Sequence, residues 1–308
     1  MTAKKIAILI PCYNEEITIA TVIQDCRKYT PSAAVYVIDN NSSDATAQIA
    51  DSLGATVLRE YKRGKAYAVK KAFQEIDADI YVMIDGDDTY PLDQIDKIIQ
   101  PIEKGEADMT VGDRHTLGGY KQENKRQFHG LGNALVKKTI NGLFRANLKD
   151  ILSGYRGFSK KFVKNYPLIC DGFELEAHLT IHALHYGHPI KEIPITFQDR
   201  PEGSESKLNT LSDGFHIMSL IVDMFKDSRP MIFFSTLAMI TFVIAMASGA
   251  VVISEFARSH FITHIPLTIL SSSSLVLSFL LLISGLILDT LVKQDLRHYA
   301  LHLLKGSQ

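Results

Sequence analysis

Residues 80–91 read IYVMIDGDDTYP. An apolar run, Ile80 to Ile84, ends directly in three carboxylates, Asp85, Asp87 and Asp88. A short run of this composition bounded by turn residues reads as a strand buried on both faces. Working outward, comparable runs occur at Ile6–Ile10, Val35–Ile38, Thr56–Leu58 and Met109–Val111, with amphipathic stretches between most of them. That alternation predicts an α/β fold: a mostly parallel sheet flanked by helices on both faces. In such sheets ligands gather beyond the carboxyl ends of the strands, near a switch in strand order. The segments standing there are PCYNEE, DNNSSDAT, DGDDTYP and GDRH. Each alone reads as a turn with a helix cap, Asn41 or Ser43 for a helix over 45–53 and Thr89 with Pro91 for another. Together they converge on one edge of the sheet.

The remainder of the 308 residues bounds the problem. A net charge of −1 gives no basic field for nucleic acid. Cys12, Cys26 and Cys170 form neither a CxxC pair nor a zinc pattern, which suits a reducing compartment. Met1 to Lys5 leads straight into a strand-like run, so no secretory signal is expected. From Met231 to Ile253 and from Ile265 to Leu288 no residue is charged, and each run exceeds the roughly 20 residues a spanning helix needs. Two such runs in tandem read as transmembrane helices rather than as buried soluble ones. Lys226 and Arg229 precede the first, Lys293, Arg297 and Lys305 follow the second, and Arg258 alone among Lys and Arg lies between. The positive-inside rule then puts both ends in the cytoplasm. Phe215, Met218, Ile221, Val222 and Phe225 fall at helical spacing just before the first span. They read as a juxtamembrane amphipathic helix in the interface, with packing on the soluble part as the rival.

Neither GxGxxG after the first strand nor GxxxxGK[ST] is present, so a dinucleotide oxidoreductase or P-loop enzyme is unsupported. A divalent cation is another way to hold a diphosphate. Asp85 and Asp87 share a face if strand geometry persists that far. Two carboxylates about 4 Å apart repel by about 4 kcal/mol at an effective dielectric of ~20, a cost that a bound cation reverses. Hard oxygen ligands favour Mg²⁺ or Mn²⁺, completed by water and substrate phosphates. An acidic turn capping the helix after Pro91 explains the same string equally well when it is read alone.

With PCYNEE, DNNSSDAT and DGDD in this order at strand ends, the chain resembles family 2 glycosyltransferases of the GT-A fold. The two C-terminal spans make it similar to the group that forms polyprenyl-phosphate sugars, the dolichyl-phosphate mannose synthases and their bacterial undecaprenyl-phosphate relatives. The resemblance implies a cytoplasmic GT-A domain over 1–205, a juxtamembrane helix over 206–229, the two spans within 230–292 and a cytoplasmic tail over 293–308. It implies that Pro11, Tyr13 and Glu15 wall the nucleoside pocket, with Asp39 on the base or ribose and Lys65 reaching the donor. Asp85 and Asp87 match the DxD that orients metal and donor phosphates. Arg114 and Arg156 fall where the family places basic or structural residues around the site. FQDRPEGSESKL resembles the Arg-Gly-Ser-Lys segment before the membrane, with one extra residue, and implicates Arg200, Ser206 and Lys207 in holding phosphate. Arg126, in the loop KQENKRQFHG with His129, is placed beside the acceptor phosphate. Asp88-Thr89 stands where many relatives have Leu-Gln, which leaves the third protein ligand of the metal open.

The reaction so implied moves a sugar from a nucleoside diphosphate to a membrane-embedded polyprenyl phosphate, by inversion, for cell-envelope glycans. Asp87, Arg114, Arg200 and Lys207 are the expected catalytic set. UDP-linked glucose, N-acetylglucosamine or N-acetylgalactosamine is the expected donor, with GDP-mannose as the alternative. Homo-oligomers are an expectation from the relatives. Glu174 and Glu176 stand where relatives with hydroxyl acceptors carry a base, or stabilise the start of a helix over 175–185. His178, His182 and His185 imitate a metal site in spacing, but a partly exposed helix face explains them better. A processive polysaccharide synthase is disfavoured by the absence of tryptophan, hence of QxxRW. A non-catalytic scaffold with a degenerate transferase domain is the rival of another class, and intact Asp85, Asp87, Arg200 and Lys207 speak against it.

Overall fold

A computed structural model of the chain describes residues 4–117, 127–167, 175–198, 201, 219 and 222–306. Two compact units divide it, one up to Ile217 and one from Met218.

The first unit is a seven-stranded sheet. Its strands are β1 (Ile6–Cys12), β2 (Ala34–Asp39), β3 (Thr56–Arg59), β4 (Ile80–Met83), β5 (Met109–Asp113), β6 (Arg156–Ser159) and β7 (Ile190–Pro194), in the order β3-β2-β1-β4-β6-β5-β7. Strands β1 to β4 run parallel to one another, whereas β6 pairs antiparallel with both β4 and β5. Strand order reverses between β1 and β4, so the crevice beyond their carboxyl ends is the switch point of the sheet.

Both faces of the sheet are covered, and the period of two is visible in the core. Ala7 and Leu9 of β1 join Tyr81 and Met83 of β4 in one layer; Ile8, Ile10 and Cys12 join Ile80 and Val82 in the other. The first layer packs under α3 (Lys65–Glu75), α6 (Lys160–Asn165) and α7 (Leu175–His185), through Val69, Phe73, Phe162 and Leu179. Against the second lie α1 (Ile19–Tyr29) and α4 (Ile95–Glu103), which bury Ile19, Val22, Ile23 and Cys26, and Ile95, Ile98, Ile99 and Ile102. Both sets follow the i, i+3, i+4, i+7 spacing of an amphipathic helix. Helices α2 (Thr46–Ser52) and α5 (Gln127–Phe144) complete the unit. Cys12 and Cys26 are buried free thiols, while Cys170 lies outside the described residues.

Five strands coincide with the apolar runs expected from sequence. Strand β4 stops at Met83, however, and a turn opens at Gly86, so the alternation argument that puts Asp85 and Asp87 on one face does not apply. Strands β6 and β7 have no counterpart among those runs. The first is only RGFS and buries an arginine; in the second no residue is fully buried.

In the second unit, residues 222–228 are helical. The region 206–229 expected to form the juxtamembrane helix otherwise lies almost wholly outside the described residues. Helices α8 (Pro230–Ser259) and α9 (Ile265–Gly306) are both long and apolar enough to cross a membrane. Helix α9 continues without a break to Gly306, within the segment expected as a tail. Two serines of α9 stitch the pair: Ser271 Oγ donates to the Ala245 carbonyl and Ser278 Oγ to the Ala238 carbonyl, each at 2.9 Å. Both donors and both acceptors are seven residues apart, the repeat that keeps two helices in register.

Candidate active site

Three loops beyond the carboxyl ends of β1, β2 and β3 are tied into one wall. Asn14 Oδ1 accepts from the Ser43 amide at 2.8 Å, and Ser42 Oγ accepts from the Asn14 amide at 3.0 Å. The Glu15 amide donates to Thr46 Oγ1 at 2.8 Å. Asn40 fastens the third loop: its Nδ2 donates to the Lys62 carbonyl and its Oδ1 accepts from the Gly64 amide, both at 2.7 Å. Gly64 has φ of 133°, a conformation that side chains disfavour, and from it the chain enters α3 at Lys65.

Pro11 and Tyr13 stand at the end of β1, with the Arg63 guanidinium 5.0 Å from the centre of the Tyr13 ring. Asp39 is the buried last residue of β2 and accepts from the Ser42 amide at 3.2 Å. Pro11, Tyr13, Glu15 and Asp39 are thus brought to adjacent strand ends.

Lys65 and Asp85 meet directly. Lys65 Nζ lies 2.5 Å from Asp85 Oδ1 and 2.6 Å from Glu176 Oε1, with side-chain exposures of 20%, 27% and 10% in that order. Burial disfavours the ammonium, but the two carboxylates outweigh it and raise the Lys65 pKa well above its ordinary value. Asp85 is set in place from behind by Gly154, where a Cβ would come within 2.5 Å of Asp85 Oδ2. The Gly154 amide donates to the Tyr90 hydroxyl at 2.9 Å, and burial pushes that phenol above its usual range.

Asp87 is only 6% exposed. Its Oδ1 accepts from the Thr89 hydroxyl at 2.7 Å, a bond within the turn, while the helical turns after Pro91 carry no side-chain cap, so the helix-capping reading of DGDDTY does not hold. Asp88 takes φ of 58°, and burial, followed by the nearby Asp25 and Asp87 charges, raises its pKa. Among the described residues no group of three or more His, Cys, Asp or Glu side chains could hold a metal. Two carboxylates with hard oxygens fit a cation that takes its other ligands from water and phosphate, as Mg²⁺ and Mn²⁺ do.

Arg114 is brought to a different partner. Its Nε and Nη2 form a fork on Asp150 at 2.7 and 3.0 Å, its amide reaches the same carboxylate at 3.1 Å, and the guanidinium lies 5.5 Å from the Phe197 ring centre. Burial opposes the Asp150 charge, yet Arg114 outweighs it and holds this carboxyl below its ordinary 3.8. A depressed carboxyl contributes stability above its unfolded pKa and loses it as pH falls through the folded one. Asp150→Asn is expected to destabilise the protein by about 2 kcal/mol at neutral pH. In urea unfolding, the difference from wild type is expected to close below pH 3.8.

Arg156 serves the fold beside the site. It is 0% exposed and donates to the Ser153 carbonyl (2.8 Å), the Ile151 carbonyl (2.5 Å) and Thr180 Oγ1 of α7 (2.9 Å). The histidine run is not a partly exposed face throughout. His182 is buried against Phe162, Tyr166 and His188, and burial, helped by His188 and His185, lowers its pKa to about 3. Arg126, Arg200, Ser206, Lys207 and Glu174 lie outside the described residues. Gly154 and Asp150 are site residues that the sequence motifs do not point to, and Asn40, although it stands in DNNSSDAT, is not singled out by that motif. Gly154 stands in the same SGYRGF string as Arg156, two positions earlier, and its place in that string is the one signal that could have found it.

This geometry agrees with what the chain resembles. The family described as Glycosyl transferase family 2 matches residues 7–166, more than half of the chain. Glycosyltransferase AglJ of Haloferax volcanii is 29% identical over 293 residues, covering 94% of this chain and 95% of that protein. A dolichyl-phosphate hexose transferase of the same organism is 29% identical, covering 74% and 97%. An undecaprenyl-phosphate mannosyltransferase of Micrococcus luteus is 28% identical, covering 67% and 88%. Among solved structures, glucosyl-3-phosphoglycerate synthase from Mycobacterium tuberculosis in complex with Mn²⁺ and UDP-glucose superposes with a TM-score of 0.58. That match has 20% identity and covers 73% of this chain and 79% of the other, a likeness of fold. A matched family that begins in β1, passes through the Asp85 and Asp87 turn and ends beyond β6, on a sheet of this order, leaves one conclusion: the chain is an enzyme of glycosyl transferase family 2.

Proposed function

We propose that the protein transfers a sugar, with inversion, from a nucleoside diphosphate to a polyprenyl phosphate such as undecaprenyl phosphate. The reading rests on one observation: Asp87 and the Lys65-paired Asp85 stand at the switch point of the sheet, in a chain that also carries two helices able to cross a bilayer. The names of the Haloferax and Micrococcus relatives support the class of acceptor.

Pro11, Tyr13, Glu15 and Asp39 take the nucleoside, and Asp85 and Asp87 take the divalent cation that accompanies its diphosphate. When bound, Mg²⁺ or Mn²⁺ stabilises the negative charge that grows on the leaving diphosphate. Lys65 adds positive charge on the same side. The acceptor is a phosphate monoester whose second pKa is near ~6, so it is largely dianionic at neutral pH and attacks without losing a proton. Glu176, paired with Lys65, is therefore not needed as a base. Arg126, Arg200, Ser206 and Lys207 are assigned to the acceptor phosphate. By the positive-inside rule both termini and this site face the cytoplasm. UDP-linked glucose, N-acetylglucosamine or N-acetylgalactosamine is the first donor to try. A mannosyl donor is the second, favoured by the mannosyltransferase of Micrococcus luteus.

The test is incubation of the full chain in detergent with Mn²⁺, undecaprenyl phosphate and a panel of nucleotide sugars, followed by mass analysis of the lipid. A lipid heavier by one hexosyl or N-acetylhexosaminyl group supports the reading. An unmodified lipid with every donor overturns it. Gly154→Ala provides an internal check on the geometry. Its new methyl would meet Asp85 Oδ2, so kcat/KM is expected to fall by about 10²-fold, the effect of displacing a reacting group by roughly 1 Å.

A further inference from the structure

Lys65 already neutralises one oxygen of Asp85, the carboxylate assigned to the cation. Its Nζ, 2.5 Å from Asp85 Oδ1, is shared with Glu176 Oε1 at 2.6 Å. The three side chains come from the start of α3, the segment just after β4 and the first turn of α7, so the fold itself assembles the bridge. An ammonium on Asp85 repels a divalent cation on the same carboxylate, and in a half-buried site that repulsion is weakly screened. Displacing the ammonium requires another anion within reach of a side chain already anchored at its second end. Glu176 is one such anchor, and the donor diphosphate is the other.

We propose that Lys65 is an exchangeable counter-ion: it holds Asp85 while no donor is bound, and releases it to the divalent cation as the donor diphosphate takes over the ammonium. Glu176 is the positioning residue that keeps Lys65 within reach during the exchange. The exchange rests on the assignment of Asp85 to the metal. It adds that metal and nucleotide bind as a coupled pair, each strengthening the other by the same factor, and that metal alone is held weakly because Lys65 holds it off. The bridge also accounts for a lysine at the first position of α3 whose charge is anchored on two carboxylates.

The experiment titrates the full chain in detergent with Mn²⁺, following free Mn²⁺ by electron paramagnetic resonance, with and without UDP. In wild type, UDP is expected to tighten Mn²⁺ by about tenfold or more. Lys65→Met removes the competing ammonium while keeping most of its apolar stem. Mn²⁺ without UDP is then expected to bind about tenfold tighter than in wild type, and the gain from UDP to shrink. Glu176→Gln leaves Asp85 as the one carboxylate on the ammonium, so Mn²⁺ without UDP is expected to bind more weakly than in wild type. These opposite signs separate the exchange from general damage to the fold, which would weaken binding in both variants. If UDP tightens Mn²⁺ in wild type but Lys65→Met binds Mn²⁺ alone no tighter, the exchange is overturned and the metal assignment stands. If wild type binds no Mn²⁺ even with UDP, the metal assignment fails and the exchange falls with it.

Discussion

Asp87→Asn is expected to lower sugar transfer by roughly a thousandfold while thermal unfolding stays close to wild type. The carboxamide has the shape of the carboxylate, and its oxygen can go on accepting from the Thr89 hydroxyl, so the buried turn keeps its internal bond. What it lacks is the charge. A neutral oxygen is a far poorer ligand for a hard divalent cation, and the growing charge on the leaving diphosphate loses its stabilisation. Steady-state rates at saturating donor, set beside a melting curve of the same preparation, separate the two effects. A variant that kept more than a tenth of the wild-type rate would remove Asp87 from the metal and take the main support from the proposed reaction.

Arg156→Ala is expected to have the largest effect on stability, about 3–5 kcal/mol, lowering the melting temperature by about 10 °C or more. Burial lowers the pKa of this guanidinium, with Glu176 and Asp150 acting against that loss. Its bonds go to the carbonyls of Ile151 and Ser153 and to Thr180 Oγ1 rather than to a carboxylate. Truncation leaves these acceptors buried without their donor and opens a cavity beside β6. The damage reaches the site, because Thr180 also donates to the Glu176 carbonyl within α7. Arg156→Lys is expected to recover part of the loss, since one ammonium cannot reach every acceptor that the planar fork spans. A melting temperature within a few degrees of wild type for Arg156→Ala would show that the loop around Ser153 is held by other means.

Individual residues mark how far the amino-acid sequence reaches. Strands β1 and β4 announce themselves because both faces are buried, so Ile6 to Ile10 and Ile80 to Ile84 are nearly unbroken apolar runs. Strand β6 does not, because it consists of Arg156, Gly157, Phe158 and Ser159 and is a strand only through pairing with β4 on one side and β5 on the other. Asp85 and Lys65 are both legible as site residues, each from the stretch of sequence that resembles the family. Their ion pair is not, since the residues between them must fold into α3 and β4 for the charges to meet. Arg114 is legible as a basic residue after β5, but its carboxylate partner, Asp150, belongs to a loop that only the antiparallel return of β6 brings alongside.

The sequence by itself determined the α/β class, the polar edge of the sheet, the two membrane-length helices and the pair of aspartates at the turn. All of these are local: hydrophobic period, run length and turn chemistry act over a few neighbouring residues. The tertiary structure alone decided which oxygen of Asp87 serves the turn, that Lys65 bridges Asp85 and Glu176, that Gly154 backs the Asp85 carboxylate, and that Arg156 is buried among carbonyls. Most of these depend on atoms from segments far apart in the chain meeting within bonding distance, and such contacts leave no period in the sequence.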